Sequence, residues 1–320
     1  MKKIGVLTSG GDSPGMNAAI RAVVRGGIFN EMEVYGIRRG YEGLITGDIQ
    51  EMKVSSVSEI LQRGGTILQT ARSAFFKEPE GLQRALDMLE NFEIEGLVVV
   101  GGDGSFKGAL DLGKNGIPVI GLPGTIDNDL GYTDYCIGFD TAVNTILNAL
   151  SNIRDTSSSH ERSTIIEVMG RNCGDLALYA GITGGAETVL IQEIEPNINA
   201  VCRKLIQGKN RGKRHSVIIK AEGVKMSSQE LADIITQRTG LETKVVVLAY
   251  IQRGGAPSGR DRMLASRMGY KAIELLKNGE CNRAIGIKGN EIIHVDLLEA
   301  LGMKRPIDES IQELAEALSI

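Results

Sequence analysis

The stretch Leu97–Asp129, LVVVGGDGSFKGALDLGKNGIPVIGLPGTIDND, decides the fold predicted for this chain. Residues 97–100 are a short apolar run rich in β-branched side chains, which is typical of a parallel strand buried on both faces. The run stops at residues 101–105, GGDGS. Glycines let backbone N–H groups approach an anion closely, and Ser105 is expected to cap the next helix and direct its positive end at a phosphate.

A second strand signal lies one strand–helix unit later. Residues 118–122, PVIGL, predict another buried strand, and residues 123–129, PGTIDND, follow it with two carboxylates and a hydroxyl. Loops at the carboxyl ends of neighbouring parallel strands share one crevice, so the glycine-rich and acidic loops are expected to face each other. GGDG alone could be only a tight turn, or a nucleotide loop like that of lipid and NAD kinases. The acidic loop favours phosphoryl transfer.

Composition narrows the class of protein. The chain has 320 residues, 41 of them glycine, and a formal net charge of −4. An anionic ligand must therefore be held by local arginines rather than by a general basic field. Tryptophan is absent and aromatic residues make up 4%, which argues against nucleic-acid binding.

The four cysteines and three histidines show no metal-ligand spacing, so we predict reduced thiols and no zinc site. The sequence enters a strand at once and has no long apolar run, so we expect a cytoplasmic protein without a membrane span.

Alternation of short apolar strands with helical patterns predicts an α/β fold of two doubly wound, Rossmann-like lobes with parallel central sheets. After a first strand at residues 4–8, Ser13 and Pro14 suit the N-cap and first position of a helix. A later helix is expected over residues 137–153, followed by a polar loop at 154–162. Further strands are predicted at 163–169, 215–221 and 244–250.

Several long motifs resemble the bacterial 6-phosphofructokinases, and the resemblance spans essentially the whole chain. Besides GGDGS and PGTIDND, they are TSGGDSPGMNAAIRAVVR at 8–25, RDTSSSHER at 154–162, IQRGG at 251–255 and DRMLASRMG at 261–269. The resemblance implies transfer of the γ-phosphoryl group of MgATP to the 1-hydroxyl of fructose 6-phosphate, the committed step of glycolysis. It also implies an ATP-binding lobe at residues 1–138 and 252–305, and a sugar-phosphate lobe at 139–251 and 306–320.

The resemblance assigns catalytic roles to residues at matching positions. Asp127 would accept the hydroxyl proton, and Asp103 would hold Mg²⁺. Thr125, Arg72 and Arg171 would stabilise the charge on the transferred group. The ATP-binding residues would be Gly11, Tyr41, Arg72, Ser73, Gly102, Asp103, Gly104 and Ser105.

The sugar-phosphate and effector sites follow by the same resemblance. The substrate residues would be Thr125, Asp127, Asp129, Arg162, Met169, Gly170, Arg171, Glu222, Lys244, Tyr250 and Arg253. The effector residues, for ADP and phosphoenolpyruvate, would be Arg21, Arg25, Arg154, Gly185, Glu187, Arg211, Lys213, Arg214 and His215. The family is tetrameric, with Arg162 and residue 244 completing a neighbouring subunit's site.

Two positions depart from the family pattern. Its 6-phosphate site has two arginines and a histidine, and here Lys244 and Tyr250 replace one arginine and the histidine, while Arg253 is retained. Val54 stands where the effector site has a third arginine.

Three other functions compete with the ATP-dependent one. Pyrophosphate-dependent relatives typically carry Asp at the position of Gly104 and Lys at that of Gly124, and a carboxylate at 104 would repel the α-phosphate of ATP. Glycine at both positions therefore favours ATP. A kinase for a related sugar phosphate and a non-catalytic nucleotide sensor are the remaining alternatives.

Overall fold

The computed structural model describes residues 1–318 of the chain, so residues 319 and 320, the end of the predicted second lobe, lie outside the described part. The chain forms two compact units. The first unit comprises Met1–Ile126, Leu130–Thr141 and Arg253–Lys304. The second unit comprises Asp127–Asp129, Ala142–Gln252 and the chain from Arg305 onward, so the tip of the acidic loop belongs to the second unit.

Strands and helices alternate along most of the chain. Strands β1 to β11 are, in order, Lys3–Thr8, Glu33–Ile37, Ile49–Met52, Gly96–Gly101, Val119–Pro123, Ser163–Val168, Thr188–Leu190, Ser216–Ala221, Thr243–Val247, Arg283–Lys288 and Glu291–Asp296. Helices α1 to α11 are, in order, Met16–Phe29, Gly40–Thr46, Pro79–Asn91, Asp103–Lys114, Phe139–Ser159, Asp175–Thr183, Ile198–Asn210, Ser228–Thr239, Gly259–Lys277, Leu297–Gly302 and Glu309–Leu318. Short 3-10 helices cover Val54–Val57, Phe75–Lys77 and Ala249–Arg253.

The first unit contains a sheet with strand order β11-β10-β5-β4-β1-β2-β3. Its inner strands are parallel, as the sequence predicted, but β3 and β11 run antiparallel at the two edges. The predicted parallel central sheet is therefore confirmed for the inner strands, and the two antiparallel edge strands are features that the sequence did not predict. Only residues 289 and 290 separate β10 from β11, and so short a connection can form a hairpin but not a parallel crossover.

Strand β4 is buried on both faces, which confirms the prediction from its unbroken apolar run. Val98 and Val100 belong to one hydrophobic cluster, with α1 and α9 residues such as Val23 and Met268. Leu97 and Val99 belong to a second cluster, with residues of α3 and α4. Successive side chains of a strand point to opposite faces, so this one strand joins the two cores of the unit.

The second unit contains a four-stranded sheet with order β7-β8-β6-β9, and all its strand pairs are parallel. The α/β class and the doubly wound character are confirmed. The sequence did not predict β7, which has only three residues. Among residues 1–318, none of the helices combines the length and apolar composition that a bilayer crossing requires.

Two helix ends differ from prediction. Helix α1 begins at Met16, and Gly15 with φ 108° occupies the N-cap position, so Ser13 is not the cap. The carbonyl of Ser13 instead accepts a hydrogen bond from Met16 N in a tight turn. Helix α5 continues to Ser159, so the expected polar loop is helical over most of its length. Ser159 Oγ donates to Asp155 O at 3.0 Å, which satisfies the hydroxyl within the helix.

Candidate active site

The glycine-rich loops after β1 and β4 lie side by side in the first unit. Ser9 N donates to Val100 O at 3.0 Å, and a Cβ added to Gly101 would lie 2.5 Å from Ser9 O. Position 101 therefore has no space for a side chain. The chain leaves β1 toward β2 on one side and returns in β4 on the other, so these loops mark the point where the strand order reverses. Ligands of open α/β sheets bind at such a point.

Helix α4 starts directly after this turn, with Gly102 at the N-cap position. Ser105 is therefore not the cap that the sequence predicted, but a buried residue in the first turn of the helix. Glycine at the cap leaves the first N–H groups of the helix open to an anion. Gly104 is exposed, and a Cβ there would meet no protein atom within 4 Å. The free space at Gly104 is thus available to a ligand.

Asp103 is the predicted magnesium ligand and occupies the first position of α4. Its Oδ2 lies 2.7 Å from Lys107 Nζ, one helical turn away. Within residues 1–318, no three His, Cys, Asp or Glu side chains cluster in a way that could hold a metal. Mg²⁺ is commonly bound through one or two carboxylates plus substrate phosphates, so a single half-buried carboxylate beside a phosphate cradle suits that ion.

Tyr41 supports the cradle from inside the core. Its hydroxyl donates to Ser105 O at 2.5 Å, and its ring stacks on Phe76 with centroids 4.2 Å apart. Burial raises the pKa of the Tyr41 phenol, so the hydroxyl remains a donor. Arg72 is exposed, and Ser73 Oγ accepts a hydrogen bond from Phe76 N at 3.2 Å. Tyr41 is only 6% exposed, so its direct contribution here is to fix the first turn of α4.

A third loop of the first unit, after β5, reaches the same cradle. Gly124 N donates to Gly101 O at 3.0 Å, and a Cβ on Gly102 would lie 3.6 Å from Thr125 Cβ. The guanidinium of Arg253 also lies beside these loops, since a Cβ added to Gly11 would be 2.9 Å from Arg253 Cζ. The first unit thus gathers a hydroxyl and a guanidinium around the glycine loops.

In the second unit, the loops after β6 and β8 form another cluster. Arg171 N donates to Glu222 Oε1 at 2.9 Å, and Met169 N donates to Gln252 Oε1 at 3.1 Å. Gly170 has a φ of 136°, which favours glycine. The guanidinium-bearing side chain of Arg171 is exposed. Predicted substrate residues from two strand ends are therefore brought together, and Gln252, which the sequence analysis did not single out, fixes one of them.

Arg162 and Lys244 converge on a carboxylate that the sequence analysis missed. Arg162 Nε lies 2.9 Å from Glu242 Oε2, and Lys244 Nζ lies 2.8 Å from Glu242 Oε1. The hydrogen bond from Lys244, followed by that from Arg162, lowers the pKa of Glu242. Parallel pairing of β6 with β9 places residues 163 and 243 opposite each other, which a sequence without known pairing does not reveal. Tyr250 lies in a 3-10 helix rather than in the predicted strand and is 78% exposed.

The predicted effector residues are divided between the units. In the first unit, Arg21 and Arg25 lie on α1, with Arg25 exposed. In the second, Arg154 Nη2 donates to Gly185 O at 2.7 Å, and Lys213 forms an ion pair with Glu187. The remaining predicted members lie near the start of β8 and are at least partly exposed; they are Arg211, Arg214 and His215.

A model of the family described as Phosphofructokinase matches residues 3–276. The chain belongs to this family. It is 58% identical over 320 residues to the ATP-dependent 6-phosphofructokinase of Alkaliphilus metalliredigens (strain QYMF), with 100% of both chains covered. It is 56% identical over 319 residues to the protein of the same name from Clostridium botulinum (strain Loch Maree / Type A3), again with 100% of both covered.

A solved phosphofructokinase structure from Saccharomyces cerevisiae matches with a TM-score of 0.90 and 35% identity. The match covers 100% of this chain and 48% of the yeast chain, so this chain spans about half the length of that phosphofructokinase. The family recognised from the motifs is therefore confirmed along the whole sequence.

Proposed function

We propose that this phosphofructokinase family member transfers the γ-phosphoryl group of MgATP to the 1-hydroxyl of fructose 6-phosphate, giving fructose 1,6-bisphosphate and ADP. Two full-length relatives bear the name ATP-dependent 6-phosphofructokinase. The observation that carries the choice of phosphoryl donor is the open space at Gly104, where an added Cβ would meet no protein atom within 4 Å. Packing of the protein itself therefore does not require glycine at position 104. A bound nucleotide would require it, because a side chain at 104 would occupy the space that the nucleotide needs.

Gly124 supports the same donor. A Cβ at Gly124 would lie 2.9 Å from Val100 Cγ1 and 3.2 Å from Met16 Cε. The lysine that pyrophosphate-dependent relatives typically carry here could not be accommodated without movement of this core. The first unit is therefore proposed as the nucleotide-binding lobe, and the second as the sugar-phosphate lobe.

The proposed mechanism is direct in-line transfer. Asp127 accepts the proton of the sugar hydroxyl, a step that contributes about 10²–10⁴-fold when the base is well placed. Thr125, Arg72 and Arg171 stabilise charge on the transferred group. Asp103 would hold Mg²⁺, which neutralises charge on the phosphates when it is bound. Transfer of this kind needs positioning and electrostatic stabilisation, and no covalent phosphoenzyme.

Regulation and assembly follow the family pattern in this proposal. The predicted effector residues would bind ADP or phosphoenolpyruvate. A homotetramer would place Arg162 and Lys244 at the active site of a neighbouring subunit, and the cytoplasm is the expected location. Sedimentation of the purified chain tests the tetramer.

Steady-state turnover of fructose 6-phosphate with MgATP, compared with pyrophosphate at equal concentration, tests the proposal. We expect phosphorylation of fructose 6-phosphate with MgATP as the donor and none with pyrophosphate. Preference for pyrophosphate would overturn the choice of donor, and ATP binding without turnover would identify a nucleotide sensor. Turnover of another hexose or pentose phosphate in preference to fructose 6-phosphate would identify a related sugar-phosphate kinase.

A further inference from the structure

The residue between the two carboxylates of the acidic loop has an unusual environment. Asn128 is completely buried and has a φ of 53°, in the left-handed region. Asparagine adopts that conformation more readily than most residues, but still at some cost in energy. Strained backbone conformations persist where the surroundings enforce them, and they cluster at functional sites.

The side chain of Asn128 is held by a buried carboxylate within the second unit. Its Nδ2 donates to Asp175 Oδ2 at 2.9 Å. The same oxygen lies 2.9 Å from Arg305 Nη2 and 3.1 Å from Arg305 Nε. Asp175 is only 7% exposed, so the guanidinium compensates a carboxylate that would otherwise be costly to bury. Hydrogen bonds to a charged acceptor are among the stronger ones in proteins, so the amide of Asn128 has a well-defined direction.

The backbone of Asn128 is also contacted. Cys173 Sγ lies 3.9 Å from Asn128 O, within reach of a weak thiol hydrogen bond. Burial raises the pKa of the Cys173 thiol, so it stays protonated. Both the side chain and the carbonyl of Asn128 therefore face the segment 173–175.

That segment is the continuation of the loop that carries Arg171. Asp175 begins α6, and Gly174 N donates to Glu193 Oε1 at 2.7 Å. Arg171 N is bound to Glu222, as described above. The loop that carries Arg171 is thus held by hydrogen bonds to Glu222 and Glu193, which both belong to the second unit. The amide of Asn128 links the tip of the acidic loop to the end of this loop through Asp175.

We propose that Asn128, held by Asp175, which Arg305 in turn binds, is a positioning residue that sets Asp127 at a fixed place relative to Arg171. This inference rests on the proposed function, in which Asp127 is the base and Arg171 stabilises the transferred charge. A displacement of about 1 Å in reacting geometry can lower a rate by about 100-fold. Loss of the Asn128 amide should therefore act on turnover more than on binding.

Asn128→Gly is the direct test, because glycine keeps the left-handed backbone and removes the side chain that carries the amide. We expect kcat to fall about 10- to 100-fold, with the KM for ATP unchanged. Asn282→Gly is a matched control, since Asn282 has a φ of 55° and lies in the first unit. It should leave kcat unchanged.

A second pair of variants addresses the partner carboxylate. Asp175→Asn keeps an oxygen that can accept from Asn128 and should retain most of the wild-type kcat. Asp175→Ala removes the acceptor and should reproduce the loss seen in Asn128→Gly. If the glycine variant does not fold, this pair gives the same comparison from the other side of the hydrogen bond.

Comparing the effect of Asn128→Gly with and without the base Asp127 distinguishes a positioning role from a merely structural one. In an Asp127→Asn background, Asn128→Gly should lower kcat by less than threefold, because no base remains to be positioned. An equal loss in both backgrounds, or wild-type kcat in both Asn128→Gly and Asp175→Ala, would overturn the inference. Absence of turnover in the wild-type protein would instead overturn the proposed function, so the two failures are distinguishable.

Discussion

The junction between α5 and α9 offers a quantitative test of how the first unit is held together. Asp261 Oδ1 accepts from Gly138 N at 2.9 Å, and its Oδ2 accepts from Thr141 N at 2.8 Å and from Thr141 Oγ1 at 2.5 Å. Asp261 is only 1% exposed. A side chain of α9 thus satisfies backbone donors at the start of α5, which a helix leaves unpaired by itself.

Replacement of Asp261 by alanine would remove all three acceptor contacts at once. Each buried donor left unpaired costs about 1–3 kcal/mol. Since water reaches the site poorly, we expect Asp261→Ala to lower the free energy of unfolding by roughly 3–5 kcal/mol, mostly from the two backbone N–H groups. Alanine is a good helix former, so α9 itself should not be weakened.

Asp296→Ala provides the matched control. Asp296 caps α10 by accepting from Leu298 N at 2.9 Å and Glu299 N at 3.2 Å, but at a partly exposed position. Loss of such a cap costs about 0.5–2 kcal/mol. The two aspartates therefore share a capping role and differ in burial.

Urea denaturation followed by far-ultraviolet circular dichroism measures both variants, since the chain contains no tryptophan. Burial raises the pKa of Asp261 to about 6, and hydrogen bonds from Thr141 and Gly138 oppose that shift. The measurement belongs at about pH 8, where the carboxylate is ionised in the folded protein. Amide exchange at Gly138 and Thr141 should also accelerate by roughly 100- to 4,000-fold, because about 3–5 kcal/mol is converted at 1.4 kcal/mol per tenfold. A cost for Asp261→Ala no larger than that for Asp296→Ala would refute the reasoning.

Three further predictions concern the proposed activity. Asp127→Asn should leave ATP binding intact and lower turnover at least ~100-fold, and wild-type turnover in the purified variant would contradict the assigned base. Lys244→Arg combined with Tyr250→His should tighten fructose 6-phosphate binding by about 1–3 kcal/mol, measured as a lower KM with the ATP KM unchanged. An unchanged sugar-phosphate KM would mean that Glu242 or other neighbours have adapted the site to lysine. The family resemblance places Val54 where the effector site would have an arginine, whose charge-assisted hydrogen bond to phosphate would be worth about 1.5–3 kcal/mol. Phosphoenolpyruvate should therefore act weakly, and sub-millimolar inhibition in a steady-state assay would disprove this.

Local features of the fold were largely predictable. The buried strand at residues 97–100 was recognisable because an apolar run of β-branched residues ending at glycines has few other interpretations. The directions of the edge strands β3 and β11 were not predictable, because each depends on which strand it pairs with. Predictions of helix ends also failed where tertiary contacts determine where the helix begins or ends. Ser157 Oγ meets Thr164 Oγ1 at 2.7 Å, a bond that helps to extend α5 through a segment whose polarity suggested a loop.

The sequence by itself determined the α/β class, the glycine-rich and acidic loops, and the family, because these depend on residue types and spacings that are local to each motif. Tertiary structure alone decided which side chains complete the loops. Glu242 lies between Arg162 and Lys244, and Asp175 receives the amide of Asn128 across 47 residues of sequence. Such partners are chosen by strand pairing and by the need to satisfy buried polar groups. Neither requirement leaves a periodic pattern in the chain, so only the folded arrangement reveals them.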